Sequence, residues 1–300
     1  MSSPHGVILK RILVATDYSP AAHRAVWRAG HLARMHDAHL HLVHAQPDWN
    51  LYSQTTPGTA EQFNAVTRHA ENSLRTEVAW IETTFEVHAR GENRMGRASE
   101  VLRAMVHEVE PHLIVAGARG EHDVPRAAPL LGGTALKLIA FAPRPTLIVR
   151  GVEQPYRSVL AAVEAPSEIA QRLIRWAHTL VESGDCHIVH AFDVPYVARL
   201  RAHGLPEMSL LECQANVRNS SSGVVEELVA ATGETHLRLH AHLVCGEAVS
   251  AVLDEIALRR PDVVILGKHQ HPTRDVGLTP LGSVALRVAY HAPGDVLIVP

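Results

Sequence analysis

The sequence predicts an α/β protein made of two like halves, each a parallel sheet with helices on both faces. Three observations carry this. Residues 96–150 and 246–300 are two copies of one segment, in register at a constant offset of 150 with no gap. Gly96, Ala98, Pro111, Gly117, Leu131, Gly132, Ala135, Leu136, Ala142, Pro143 and Leu147 recur as Gly246, Ala248, Pro261, Gly267, Leu281, Gly282, Ala285, Leu286, Ala292, Pro293 and Leu297. A repeat this long is half of a whole domain, not a solenoid unit. In each half, short apolar runs alternate with segments of helical period, the pattern of strands buried on both faces and joined by right-handed crossovers. The chain of 300 residues also has the length of about two domains.

In the first half, the run Arg11–Thr16 is a buried strand that closes on Asp17. Ser19-Pro20 then supplies a cap and a proline at the first helical position, and Ala21, Ala25, Ala29, Leu32 and Ala33 carry the helix. His39–Ala45 reads as a second strand, with His39 and His41 outward and Leu40 and Leu42 inward. Gln46 to Gly58 is polar and reads as a loop. Residues 60–83 form a long amphipathic helix with Phe63, Val66, Ala70, Leu74, Val78 and Ile81 on one side. Phe85–Ala89 is the expected third strand, and residues 97–109 a helix that ends before Pro111. Leu113–Ala116 is a fourth strand running into Gly117. A loop with Pro125 and Pro129 leads to a helix from about Thr134 to Phe141, and Thr146–Val149 is the fifth strand.

The second half repeats this order: Ser158–Val163, a helix from about Ser167, His187–Ala191, a helix near 209–231, His236–Val244, a helix at 248–258, Asp262–Leu266, a helix at 284–291 and Val296–Val299. The expected domains are residues 8–150 and 156–300, joined by a linker, Gly151–Tyr156, short enough to keep them packed together. The last strands of the halves would otherwise expose apolar edges, so Thr146–Val149 and Val296–Val299 are expected to pair in a pseudo-twofold arrangement within the chain. Further homodimerisation is compatible with that expectation.

Composition narrows the function. The net charge is −3 and no Lys/Arg run marks a nucleic-acid face. No apolar stretch approaches the roughly 18–20 residues of a membrane span. The opening Met-Ser-Ser-Pro-His-Gly is too polar for a signal peptide. Cys186, Cys213 and Cys245 are odd in number, widely spaced and confined to the second half, as in a cytosolic protein with reduced thiols.

Ligands of open parallel sheets sit at the carboxyl ends of the strands, near the point where strand order reverses. The residues there are Thr16 and Asp17 after the first strand, Gly117-Ala-Arg119-Gly120 after the fourth, and Gly132-Gly133-Thr134 at a helix start. Glycine lets backbone N–H groups approach phosphate oxygens, and the helix N-terminus and the Thr134 hydroxyl favour the same anion. Arg119 could add charge-assisted contacts. Each also has an ordinary reading: Asp17 as a turn or cap, Gly117 as a tight turn (its partner Gly267 fits that), Arg119 as a solvated cation and Thr134 as a cap. Gly120 has no duplicate, because Gln270 stands at its place.

Ile12-Leu-Val-Ala-Thr-Asp17-Tyr-Ser19, the Gly117-x-x-Gly120 to Gly-Gly-Thr134 segment and the closing Ala-Pro-Arg-Pro-Thr-Leu-Ile-Val149 resemble the universal stress protein family, and the whole chain resembles its tandem form. That resemblance implies a Rossmann-like fold of the adenine nucleotide alpha hydrolase type, five parallel strands in the order 3-2-1-4-5. It also implies ATP binding through G-x2-G-x9-G-(S/T), with the strand-one Asp and a strand-two Val near adenine and ribose. Carried over, these are Asp17 and Val43 beside Gly117, Gly120, Gly132, Gly133 and Thr134. The chain departs from the pattern. If Gly132 is the third glycine, eleven residues separate it from Gly120 and Gly133 holds the hydroxyl position; Gly133-Thr134 restores the hydroxyl but lengthens the loop by one more. In the second half Glu164 replaces the aspartate and Gln270 the second glycine, while Gly282-Ser283 is kept. A structural role, or a different ligand, is expected there.

The 22 histidines raise a metal. His39, His41 and His44 lie around one strand, His240 and His242 share a strand face near Cys245, and His269 and His271 flank Gln270. The spacing shows no compact ligand set, so no metal is assigned. The resulting expectation is a cytosolic stress-response protein that binds ATP, with Mg2+ as the nucleotide's ion, or a related adenine nucleotide in its first domain. It is not expected to be an enzyme, since no general base, Walker lysine or paired carboxylates accompany the loop; slow ATP hydrolysis is compatible. The alternatives are a nucleotide-independent scaffold or ligand-binding protein, and an adenylate-chemistry enzyme. The last would need H-x-G-H or S-G-G-x-D-S after the first strand, where this chain has Asp17-Tyr-Ser-Pro.

Overall fold

The apolar runs of both halves order into one ten-stranded sheet, seen in a computed structural model that describes residues 6–48, 60–120, 131–164, 167–193, 203–204, 206–232, 235–268 and 282–300. The first half contributes β1 (Arg11–Thr16), α1 (Pro20–His36), β2 (His39–Gln46), α2 (Ala60–Phe85), β3 (Ala89–Met95), α3 (Ala98–Val109), β4 (Leu113–Gly117), α4 (Gly133–Phe141) and β5 (Thr146–Val149). The second contributes β6 (Ser158–Val163), α5 (Glu168–Leu180), β7 (Gly184–Phe192), α6 (Glu207–Thr232), β8 (Leu237–Cys245), α7 (Ala248–Arg259), β9 (Val263–Gly267), α8 (Ser283–His291) and β10 (Asp295–Val299).

The strand order is β3-β2-β1-β4-β5-β10-β9-β6-β7-β8. Within each half the pairs are parallel and the order is 3-2-1-4-5. The halves meet where β5 pairs antiparallel with β10, Leu147 opposite Leu297. Alternation along the strands sends one set of side chains to each face. Ile12, Val14, Leu40, Val159 and Ile188 join α1, α2, α5 and α6 in one core; Leu13, Val43, Ile114, Leu160 and Val264 join α3, α4, α7 and α8 in the other. Both cores run across the junction, so the halves share their interior.

Local chemistry explains the boundaries. The Ser19 hydroxyl accepts the Ala22 N–H (3.2 Å) and Ser167 caps α5 through Ala170. Gly96 and Gly246 recur because each stands at a positive φ, 133° and 143°, immediately after an outer strand.

Two expectations are corrected. The third strand is not Phe85–Ala89 but Ala89–Met95. Phe85 ends α2, with its ring packed on Gly30 and edge-on to Trp27 and Trp80 at 5.9 and 5.8 Å. The strand itself, ARGENRM, is an edge strand with few apolar residues, so periodicity points to its apolar neighbours instead. His41 does not face outward. β2 is covered on both sides, and His41 is buried with Nδ1 accepting the Arg90 Nε–H at 2.5 Å; only His39 is exposed. The loop after Asp48, Pro125, Pro129, His269, Gln270 and His271 lie outside the described residues.

Candidate functional site

The carboxyl ends of β1 and β4 bring together most of the residues singled out by the motif. Thr16 ends β1 and is buried; its hydroxyl accepts the Tyr18 N–H (3.2 Å), and its carbonyl is 2.9 Å from Nδ1 of His44. Asp17 follows, with Oδ1 accepting the Ser19 N–H at 3.1 Å. Its turn role is therefore real and coexists with any ligand role. Tyr18 takes the left-handed conformation, φ 61°, which turns the chain sharply from β1 into α1.

Gly120 comes back against this turn. A Cβ at Gly120 would stand 2.7 Å from Oδ2 of Asp17, so the glycine lets the backbone after β4 lie against the acidic side chain. The start of α4 is tied to the same place: the Gly132 N–H donates to the Ala118 carbonyl at 2.8 Å, and Ala118 N–H donates to Val149 at 3.0 Å. Gly132 occupies the N-cap position of α4, Gly133 the first helical residue and Thr134 the second. Gly282 and Ser283 take the same two places before and at the start of α8, which aligns Gly133 with the hydroxyl position. Among the described residues, a Cβ at Gly133 would meet nothing within 4 Å.

Other residues separate from this group. Gly117 is needed for packing, since a Cβ there would lie 3.0 Å from the Ala21 backbone in the first turn of α1. Gly267 likewise packs on Ile169 of α5. Val43 is 2% exposed, with its side chain in the core under α3 and its backbone inside the sheet, opposite Ala15 of β1 and Glu92 of β3. Arg119 lies near enough to Arg150 to help lower the latter's pKa; burial is the main cause, and together they bring it to about 10 despite Asp295.

Residues outside the motif crowd the β1 end from α2. Glu77 bonds Thr16, and burial raises its carboxyl pKa, with Asp17 adding to the rise. The Tyr18 phenol donates to Ala70 (2.9 Å) and its ring lies 4.6 Å from that of His44. Glu77 Oε2, Gln46 Oε1 and both amide atoms of Asn93 are buried and have no hydrogen-bond partner among the described residues. Unsatisfied polar atoms of this kind call for a role. No sequence signal marks them, because Glu77 and Asn93 come from elements remote from the motif.

The second half is built differently. Lys268, where the first half has Ala118, is buried; its N–H donates to Val299 at 2.7 Å and its Nζ to the Ala142 carbonyl at 3.2 Å, with burial pushing the ammonium pKa down. The side chain thus caps the last turn of α4 from the other half. Glu164 stands exposed after β6.

The sequence profile of the universal stress protein family matches the chain twice, over residues 9–150 and 155–300. A relative from Staphylococcus aureus (strain USA300) that carries the universal stress protein name is 30% identical over 153 residues, which is 50% of this chain and 89% of the relative. Among solved structures, a universal stress protein from Archaeoglobus fulgidus DSM 4304 superposes with a TM-score of 0.66 at 18% identity, covering 96% of this chain and 97% of its own. A Pseudomonas aeruginosa PAO1 protein of unknown function gives 0.60 at 17% identity, with 97% and 92% covered. No described helix is long and apolar enough to cross a membrane.

Proposed function

This chain belongs to the universal stress protein family, and we propose on that footing that residues 8–150 form a domain that binds ATP, or a related adenine nucleotide, as a regulatory ligand. The observation that carries the reading is the meeting of Gly120 with Asp17, where a Cβ would stand 2.7 Å from the carboxylate. The residues fit the nucleotide. Gly120 and Gly133, the N-terminal amides of α4, the Thr134 hydroxyl and the Arg119 guanidinium are the kinds of group that favour a phosphate. Asp17 and Thr16 would hold the nucleoside end. Mg2+ would come with the phosphates. The role assigned is regulatory, with binding shifting a conformational or assembly equilibrium in the cytoplasm and no turnover required.

The domain of residues 156–300 serves as the structural partner in this reading. Lys268 supports it, because a buried side chain anchored on α4 stands where the first half has alanine. The paired last strands make the chain its own pseudo-dimer, and homodimerisation would build on that unit. Calorimetric titration of ATP into the wild type and Asp17→Ala tests the proposal. Wild type is expected to bind one nucleotide, and Asp17→Ala to lose at least tenfold in affinity, about 1.4 kcal/mol. No heat from the wild type, and no nucleotide retained on purification, would leave the scaffold reading in its place.

A further inference from the structure

The two copies of the duplicated segment differ on the face of the sheet covered by α3, α4, α7 and α8. In the second half, Val249, Leu253, Ile256 and Ala257 of α7 and His291 and Pro293 at the end of α8 line an open groove of about 360 Å³. The offset of 150 puts Arg103 at the place of Leu253 and Phe141 at that of His291. Phe141 closes α4 with 57% of its surface exposed, and the Arg103 guanidinium stands 6.0 Å from its ring centroid. One half therefore presents an aromatic side chain where the other presents a hollow. The charges of the two helix pairs and their caps differ as well. Arg97, Arg103 and Lys137 outnumber Glu100 and Glu108 in the first half, whereas Glu247, Asp254 and Glu255 outnumber Arg259 and Arg287 in the second. Glu247 stands where the first half has Arg97, and its pairing with Arg287 at 3.7 Å places it on the rim of the groove.

We propose that this face is the contact between two copies of the chain, each inserting Phe141 into the α7–α8 groove of the other. Phe141 and the groove lie on one face of the sheet, on opposite sides of the β5–β10 junction. A two-fold axis lying in that face therefore makes both contacts at once and closes the dimer. A buried phenyl ring removes about 150–250 Å² from water. Two such rings supply the anchors of an interface that needs about 800 Å² from each partner. The excess of cations around Phe141 meets the excess of acids around the groove, which steers the two copies together and sets their register. The contact goes beyond the nucleotide reading, because Phe141 stands at the far end of α4 from Gly132 and Thr134.

Sedimentation equilibrium of the full chain over a range of concentrations tests this. Wild type should show a monomer–dimer equilibrium that weakens with added salt. Phe141→Ala should weaken it at least tenfold. So should Leu253→Arg, which puts into the groove the residue of the other half. The two variants mixed should recover dimer, since one chain keeps its groove and the other its Phe141, and one of the two contacts re-forms. Circular dichroism guards against loss of fold, and ATP calorimetry on the same variants should match wild type, so this proposal and the nucleotide reading fail separately. A wild type that stays monomeric, a dimer unaffected by Phe141→Ala, or a mixture no better than its components would overturn the proposal. A small molecule retained by wild type in native mass spectrometry and lost from Leu253→Arg would overturn it too, by giving the groove another occupant.

Discussion

Arg28 on α1 and Asp295 at the start of β10 form an ion pair across the two halves, Nε to Oδ2 3.5 Å, with 2% and 0% of the side chains exposed. Asp295 also accepts the N–H groups of Arg150 (2.7 Å) and Gly151 (2.6 Å) and the hydroxyl of Tyr156. The Arg28 guanidinium lies over the Tyr156 ring at 3.6 Å and donates to the carbonyls of Gln154 and Val152 at 2.5 and 3.1 Å. The short linker is thus folded around one buried pair of charges: both Asp295 oxygens and both terminal nitrogens of Arg28 are hydrogen-bonded, while Arg28 Nε faces Asp295 at ion-pair distance.

Asp295→Ala should therefore cost about 3–5 kcal/mol, since it strands a buried guanidinium and three donors. Arg28→Met combined with Asp295→Asn leaves no buried charge and should cost less than the sum of the single changes. Urea unfolding measures both. A loss below about 1 kcal/mol for Asp295→Ala would match a surface pair and contradict the geometry.

Gly117→Ala and Gly133→Ala should differ in sign although both glycines stand in the motif. At Gly117 the new methyl meets the Ala21 backbone at 3.0 Å, which cannot yield as a side chain would; about 1–3 kcal/mol of destabilisation is expected. At Gly133 it meets none of the described residues, and a gain of about 0.4–1 kcal/mol follows from the stiffer unfolded chain. Thermal melts of the two variants decide this.

Gly120→Gln puts into the first half the residue that its copy carries. Its Cβ would press on Oδ2 of Asp17 and displace the carboxylate. Nucleotide affinity should fall more than tenfold with little change in melting temperature, as read by calorimetry and circular dichroism. Full affinity in this variant would remove the Gly120–Asp17 contact from the argument.

His41 should make the first half sensitive to acid. Burial is the main cause that lowers its pKa to about 4, and the Arg90 charge adds to it. The folded value lies below the unfolded value of about 6.5, so the unfolded chain binds more protons between these limits. The stability that His41 contributes is present above about pH 6.5 and is lost as pH falls through about 4. Denaturant midpoints measured from pH 7 to 4 should drop, and His41→Gln should flatten part of that slope. An unchanged slope in the variant would show that other groups carry it.

Much of the architecture was legible because it rests on patterns that are local in sequence. Ser19 and Ser167 announce helix starts, apolar runs announce β1, β4 and β5, and Gly96 with Gly246 marks a backbone turn of positive φ. β3 was not legible, since an edge strand of charged residues has no apolar period. Of the candidate site, Asp17, Gly120 and Gly132 are brought together, while Gly117 and the Val43 side chain are taken up by packing. Glu77 and Lys268 depend on which strand or helix lies alongside, and one-dimensional spacing does not carry that information.

The antiparallel junction of β5 with β10 has a consequence for access. All strands of one half run against all strands of the other, so the carboxyl ends that hold Asp17 and Gly120 open on one rim of the sheet, and those that hold Glu164 and Lys268 open on the rim opposite. A single small ligand cannot touch both. A message passed between them would have to travel through the sheet and its shared core, and two partners, one on each rim, could be held at once without competing.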